Sequence, residues 1–99
     1  MGIPAGGDTV NDIRRAILQS AIARYGKEEQ INKAIEELSE LIRALARMND
    51  EENIAEEMAD VRIMLDQLEM ILGNHDRVRE WEYRKLTRLC ERVNGRDET

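Results

Sequence analysis

Apolar residues recur at every third or fourth position along most of the chain, which is the period of amphipathic α-helices. Glycine or polar strings interrupt the pattern at residue 26, at residues 49–52 and at residues 73–76. Four helices are predicted: one capped by Asp8 or Thr9 and ending near Tyr25, one from Lys27 to Met48, one capped by Asn53 and ending at Gly73, and one capped by Asp76 and ending near Val93. Residues 1–7 are predicted to be a flexible arm and residues 94–99 a frayed tail. The chain is therefore expected to be a single all-α domain, residues 1–99, that forms a helical bundle.

The helical period also predicts which residues face the core. The apolar stripes are Val10, Ile13, Ile17 and Ala21 on the first helix, with Leu18 as a further candidate, Ile31, Ile35, Leu38, Ile42 and Leu45 on the second, Ile54, Met58, Val61, Leu65, Leu68 and Leu72 on the third, and Val78, Leu86, Leu89, Cys90 and Val93 on the fourth, assisted by Tyr83. Cys90, the one cysteine of the chain, is expected to be a buried small hydrophobe. Met64 and Ile71 widen the apolar surface of the third helix, so part of that surface is expected to contact another subunit.

Size and charge narrow the range of functions. A domain of 99 residues buries a limited fraction of its surface, so oligomerisation is expected to complete the core. The formal charge of −6 and the pI of about 4.8 argue against direct nucleic-acid binding, which requires Lys and Arg to neutralise phosphates. No apolar run reaches the roughly 18–20 residues of a membrane span, and the first residues lack the apolar core of a signal peptide. A cytoplasmic location is expected.

Two pairs of carboxylates suggest a chemical site. Glu37 and Glu40 lie on the second predicted helix, and Glu57 and Asp60 lie on the third, beside its apolar stripe. Residues three apart share one face of a helix, with Cβ atoms roughly 5–6 Å apart. Desolvation of each unpaired ion costs on the order of several kcal/mol, and a divalent cation with oxygen ligands, such as Mg²⁺, would compensate that charge.

The alternative interpretation of acidic residues on a helix is a solvated surface. That interpretation is assigned to Glu28, Glu29, Glu36, Glu51, Glu52 and Glu69. For the two pairs, the metal site and the acidic surface both remain open, because long helices commonly carry exposed glutamates.

The residues around the two pairs resemble a known family. The string Ala34-Ile35-Glu36-Glu37-Leu38-Ser39-Glu40-Leu41-Ile42, preceded by Gln30, is followed by Ala55-Glu56-Glu57-Met58-Ala59-Asp60-Val61. These strings are similar to the ExxE and ExxD motifs of the MazG-like all-α nucleoside triphosphate pyrophosphohydrolases. The later string Lys85-Leu86-Thr87-Arg88-Leu89 is similar to a basic segment of those proteins. The resemblance covers roughly residues 25–92.

The resemblance implies hydrolysis of NTP or dNTP to the monophosphate and pyrophosphate by a MazG-like bundle that assembles as a homodimer or homotetramer. It implies that Mg²⁺, which Mn²⁺ could replace, is bound by Glu37, Glu40, Glu57 and Asp60. Glu37 or Glu40 could accept the proton of the attacking water, and the sequence does not choose between them.

Basic residues could bind the substrate phosphates in such a site. The candidates are Lys33, one turn before Glu37, and Lys85 and Arg88 on the fourth helix. Lys33 could instead form an ion pair with Glu37. The chain has only three aromatic residues, which are Tyr25, Trp81 and Tyr83, and this small number argues against narrow specificity for one nucleobase.

A different class of function also fits the sequence. The chain could be a noncatalytic helical-bundle module that binds nucleotide or a protein partner without hydrolysis. The presence of all four acids favours an enzyme. A di-iron carboxylate bundle is disfavoured because it needs Glu-x-x-His pairs, and the sole histidine, His75, lies in a predicted turn.

Overall fold

The computed structural model is helical throughout the residues that it describes, which are 6–48 and 50–95, with side chains from Thr9 onward. Helix α1 spans Gly6–Tyr25, α2 spans Lys27–Arg47, α3 spans Glu51–Leu72 and α4 spans His75–Val93. The predicted all-α class is confirmed. Most of the predicted arm, residues 1–5, and residues 96–99 of the predicted tail lie outside the described residues. None of these four helices has the length and apolar character that a membrane crossing requires.

The ends of α2 and α3 show why the chain reverses between them. Met48 has the left-handed backbone conformation, with φ 48°, and its N–H donates to the Ala44 carbonyl, which closes α2. Asp50 then adopts an extended conformation, and its side chain accepts a hydrogen bond from the Asn53 N–H at 3.0 Å. The prediction that Asn53 caps this helix is wrong: Asp50 is the cap, so Glu51 and Glu52 are helical.

Glycines terminate the other helices, as predicted. Gly26, with φ 91°, separates α1 from α2, and Gly73, with φ 62°, ends α3 by donating its N–H to the Glu69 carbonyl. Helix α4 begins at His75, so the predicted cap Asp76 lies inside its first turn.

The core is formed by an antiparallel pair, α2 and α3, with α1 packed against both. The buried apolar residues in the described part of the chain are Leu18 of α1, Ala34 and Ala44 of α2, and Val61 and Met64 of α3. Two of these five are alanines, so the backbones of α2 and α3 can approach closely. A core this small is limited even for a domain of 99 residues.

One buried hydrogen bond joins the start of α2 to the end of α3. The Gln30 side-chain Nε2 donates to Gln67 Oε1 at 2.7 Å, and both side chains are buried. A buried amide that loses its partner costs about 1–3 kcal/mol, so this bond disfavours other registers of the two helices.

The predicted apolar stripes of α2 and α3 are only partly inward. The residues of these stripes that remain exposed are Ile35, Leu38, Ile42 and Leu45 on α2, and Met58, Leu65 and Leu72 on α3. The helix contact is formed instead by Gln30, Ala34 and Ala44 of α2 and by Met64 and Gln67 of α3, together with Val61, which is buried as predicted. The inward direction of each helix is therefore rotated from the prediction by roughly 100°, one residue step of the helical period.

The exposed stripes of the two helices combine into one surface. On each helix the exposed stripe is rotated away from the helix contact, in the same sense as the helix turns from one residue to the next. Because α2 and α3 run antiparallel, the same sense of rotation places both stripes on the same side of the helix pair. We term the seven residues of this surface the α2–α3 apolar face: Ile35, Leu38, Ile42, Leu45, Met58, Leu65 and Leu72.

Helices α1 and α4 also depart from the predicted burial. Leu18 is buried in α1, whereas the predicted Val10, Ile13 and Ile17 are exposed. Every described residue of α4 is exposed, and α4 packs only on α3. Cys90 is exposed as well, so the prediction of a buried cysteine is wrong. The Cα radius of gyration is 17.2 Å, compared with about 13 Å for a compact domain of this length.

The Gln30–Gln67 pair generates a stability prediction. Replacing Gln67 by Leu leaves the Gln30 amide buried without its partner, so the free energy of unfolding should fall by about 1–3 kcal/mol. Replacing both glutamines by Leu removes the unpaired group and should recover most of that loss. Urea denaturation of the parent, the single variant and the double variant measures the difference. A double variant as unstable as the single one would contradict this account of the pair.

Candidate metal centre

Three carboxylates meet where α2 crosses the N-terminal half of α3. Glu37 of α2 and Glu57 and Asp60 of α3 each present one carboxylate oxygen, and these oxygens lie within 4.8 Å of one another. All three residues are partly buried. We term them the acidic cluster. Three of the four predicted ligands are thus brought together.

The position of Glu57 makes this cluster different from a solvated acidic surface. Its Oε2 atom is buried and has no hydrogen-bond partner in the described structure. Desolvation raises the pKa of the Glu57 carboxyl, and the negative charges of Glu37, Asp60, Glu40 and Glu56 raise it further. A carboxylate oxygen held away from water and beside other carboxylates lacks a compensating positive charge.

Lys33 supplies positive charge at one edge of the cluster. Its Nζ lies 3.2 Å from a carboxylate oxygen of Glu37 and 3.6 Å from one of Glu36. The hydrogen bond to Glu37 is the main cause of a raised pKa for the Lys33 ammonium, so the residue is charged at neutral pH. Lys33 therefore forms the ion pair that the sequence left open. A role in binding phosphate stays a prediction.

Glu40 lies beside the cluster but is not one of the three converging acids. Its carboxylate pairs with Arg43 Nη2, one turn further along α2. Its charge is nevertheless close enough to raise the pKa of Glu57. Glu40 is thus the fourth acid of the region, with a side chain 42% exposed, whereas that of Glu37 is 12% exposed.

Sequence analysis did not identify Arg43 as part of this region. The available signal was its spacing of three residues after Glu40, which places an opposite charge on the same helical face. Such spacings are frequent on charged helices, so the signal carries little weight without the structure.

The other predicted phosphate-binding residues lie elsewhere in the protomer. Lys85 and Arg88 are exposed residues of α4, which contacts α3 but not α2. Asp60 lies roughly 18 Å along α3 from the end that connects to α4, since an α-helix rises 1.5 Å per residue. Within one chain the structure does not bring these two residues to the acidic cluster.

Of the six acidic residues predicted to be solvated, five are exposed and one is not. Glu28, Glu29, Glu36, Glu51 and Glu52 are exposed, as predicted for solvated acids. Glu69 is different: it is partly buried, and its carboxylate contacts Nδ1 of His75 at the start of α4. The prediction of a purely solvated Glu69 is wrong, and this residue is unsuitable as a neutral control in mutagenesis.

The donor set fits a hard divalent cation. Each member of the cluster offers a carboxylate oxygen, and Mg²⁺ prefers oxygen ligands and few carboxylates, retaining positions for water and phosphate. The unpartnered Glu57 Oε2 is an available ligand atom. No Cys or His is among the three, which disfavours zinc at this position.

Comparison with known protein families, with characterised proteins and with solved structures finds no match to this chain. The similarity to MazG-like enzymes therefore rests on the motif strings alone. Any assignment of function has to be argued from the residues and their geometry.

The raised pKa of Glu57 predicts how stability depends on pH in the absence of metal. Below the unfolded-state pKa, Glu57 is protonated in both the folded and the unfolded state, so its ionisation does not lower the free energy of unfolding. As pH rises through the higher folded-state pKa, the native state must ionise a disfavoured carboxylate, so this group lowers stability. Replacement of Glu57 by Gln should therefore stabilise the metal-free protein between about pH 4 and pH 7.5, with a gain that grows as pH rises above the ordinary carboxyl pKa and becomes constant once the folded-state pKa is passed.

Thermal unfolding of the parent and of Glu57→Gln across that pH range, without metal, provides the measurement. Millimolar Mg²⁺ or Mn²⁺ should raise the melting temperature of the parent more than that of the variant, because a ligand that binds only the native state stabilises it. A difference between the two proteins that does not change with pH would refute the assignment of the raised pKa.

Proposed function

We propose that this chain is a Mg²⁺-dependent nucleoside triphosphate pyrophosphohydrolase that cleaves NTP or dNTP to the monophosphate and pyrophosphate. The observation that supports the proposal best is the convergence of Glu37, Glu57 and Asp60 around a buried carboxylate oxygen with no partner. Hydrolysis of a phosphoanhydride with metal requires carboxylates and water and no protein nucleophile. The motif strings around the acids point to the same reaction.

The four acids divide into two roles in this proposal. Glu37, Glu57 and Asp60 hold Mg²⁺, which when bound polarises the phosphoryl oxygens and neutralises the pyrophosphate leaving group. Glu40 is more exposed and lies outside the three converging oxygens, so it is the better candidate for the general base. It would accept a proton from water as the water oxygen bonds to phosphorus. The P–O bond of the phosphoanhydride that joins the α and β phosphoryl groups would break, which separates the monophosphate from pyrophosphate.

The basic residues differ in how they could assist. Lys33 already lies at the cluster, and its ammonium has three donors, so it could contact phosphate while it remains paired with Glu37. Lys85 and Arg88 would have to come from a second copy of the chain, since α4 does not reach α2 of its own protomer. A phosphate role for these two residues therefore depends on the assembly.

The assembly that we propose is a homodimer formed through the α2–α3 apolar face. Its seven exposed residues would be covered by the same face of a second copy, which would complete a four-helix core. The sequence placed Met64 in the subunit contact, but Met64 is buried within the protomer, so that part of the prediction is wrong. The exposed apolar residues of α4 offer a second contact through which the dimer could become a homotetramer.

A second candidate function is a noncatalytic protein-interaction module. It is favoured by an open, largely apolar groove of about 760 Å³ along α4 from Asn74 to Leu89, which is lined by Val78, Trp81 and Leu86 among others. Exposed apolar surface of this kind is typical of a protein-binding site. It does not explain the acidic cluster, so the enzyme remains the better proposal.

The assignment of chemistry is tested by conservative replacement of the cluster acids. Glu57→Gln and Asp60→Asn keep the shape of each side chain and remove one metal-binding charge. We expect the rate of pyrophosphate release from a panel of NTPs and dNTPs with Mg²⁺ to fall by at least about a hundredfold, at the level seen when catalytic electrostatic contacts are lost. Circular dichroism should show that both variants remain folded.

Glu29→Gln is the matched control, because Glu29 is an exposed acid with no role in the cluster. It should hydrolyse as fast as the parent. Variants of Glu57 and Asp60 that retain full activity would disprove the assignment, and so would release of orthophosphate in place of pyrophosphate by the parent.

The dimer is tested by light scattering at micromolar concentration. The parent should have at least twice the monomer mass of 11.5 kDa. Ile42→Glu places a charge on the α2–α3 apolar face, where the Ile42 side chain is exposed in the protomer, and should shift the mass toward the monomer. Asn32→Glu adds the same charge to an exposed position of α2 outside this face and should leave the mass unchanged. A monomeric parent would rule out the assembly.

A further inference from the structure

Two arginines lie one turn apart at the C-terminal end of α2, beyond Glu40. Arg43 pairs with Glu40, the acid that adjoins the three converging carboxylates. Arg47, in the last turn of α2, has no ion-pair or hydrogen-bond partner among the described residues. One positive charge at this end of the helix is therefore available to a ligand, and a second is shared with Glu40.

These arginines line an open pocket of about 390 Å³ between the end of α2 and the start of α3. The remaining lining residues are Glu40, Ala44, Asp50 and Asn53. Glu40 thus belongs both to the surroundings of the acidic cluster and to the wall of this pocket. The pocket has no aromatic residue, and Ala44 is its only apolar side chain, so it offers no surface on which a nucleobase could stack.

We propose that this pocket binds the terminal phosphate groups of the substrate, the part released as pyrophosphate, through Arg43 and Arg47. The proposal rests on the function proposed above and names the phosphate-binding end of that site. Guanidinium groups bind phosphate oxygens through two parallel N–H donors, which an ammonium cannot do. A phosphoanhydride bound at the acidic cluster would extend past Glu40 into the pocket.

Two carboxylates also line the pocket. That of Asp50 caps α3 by accepting the Asn53 N–H, and its negative charge is stabilised by the positive end of the α3 dipole. The contact of Arg43 with Glu40 is an exposed pair within one helix, and such pairs contribute little to stability. A phosphate group can therefore displace Glu40 from Arg43 at small cost. That exchange leaves the Glu40 carboxylate free when substrate is bound.

The test measures binding of inorganic pyrophosphate by isothermal titration calorimetry in the presence of Mn²⁺ or Mg²⁺. We expect Arg43→Gln and Arg47→Gln each to weaken pyrophosphate binding by at least about tenfold. Titration with metal alone should be unchanged, because neither arginine belongs to the acidic cluster. Both side chains are exposed, so thermal unfolding should confirm that the variants are folded.

Arg15→Gln is the matched control, an exposed arginine of α1 away from the pocket. Unchanged pyrophosphate affinity in Arg43→Gln and Arg47→Gln would overturn the proposal, as would an equal loss in Arg15→Gln or no pyrophosphate binding by the parent.

Sulfate and orthophosphate serve as further ligands. If they bind as tightly as pyrophosphate and depend equally on the two arginines, the pocket is a general anion site and the assignment to the pyrophosphate group is wrong.

Hydrolysis kinetics separate this proposal from the proposed function. If the parent binds pyrophosphate through Arg43 and Arg47 but hydrolyses no triphosphate, the phosphate pocket stands and the enzymatic assignment fails. If the parent hydrolyses NTP and Arg47→Gln has an unchanged KM, the enzymatic assignment stands and the phosphate pocket fails. Arg47 lies one turn farther along α2 than Arg43, which contacts the proposed general base Glu40. We therefore expect Arg47→Gln to raise KM, because substrate binding is weakened, and to change kcat less.

Discussion

The structure depends on the antiparallel contact between α2 and α3, because that contact forces carboxylates from two helices into one partly buried place. Glu37 cannot move away from Glu57 and Asp60 without separation of helices that also hold the buried Gln30–Gln67 hydrogen bond. The apolar and amide contacts therefore act against electrostatic repulsion between the acids. The cluster is therefore organised by contacts within the protein, which supply the energy that holds the like charges together.

The composition of the same contact explains why the protomer is not compact. Small or polar side chains, such as Ala34 and Gln30, line the inward side of α2, while large apolar ones such as Ile42 point to solvent. This distribution brings the two backbones close together, and the carboxylates with them, but it leaves little apolar area buried within one chain. The large apolar residues of these two helices form the α2–α3 apolar face instead. The convergence of the carboxylates and the exposure of this face thus both follow from how the residues are placed around α2 and α3.

Sequence analysis predicted the helices and the acids well, because helix ends and local spacings are local properties. Gly26 and Gly73 ended helices as expected, and the spacing of Glu57 and Asp60 placed both on one face. The buried side of each helix was predicted less well. Periodicity locates an apolar stripe but does not say whether its own chain or another covers it, and the prediction assigned the largest residues to the protomer core. Cys90 was misplaced for the same reason, since α4 has an apolar side but packs only on α3 and buries none of its described residues.

The arrangement of charge around the acids also follows from a competition that sequence spacing cannot resolve. Lys33 and Arg43 lie within one turn of Glu37 and Glu40 and supply two positive charges beside four acids. Lys33 pairs with Glu37 of the cluster and Arg43 with Glu40 outside it, and Glu57 remains without a positive partner although its Oε2 is buried. Complete neutralisation by side chains would stabilise the fold and leave no affinity for a cation. The incomplete compensation of Glu57 is therefore the physical feature that distinguishes the acidic cluster from a network of fully paired ions.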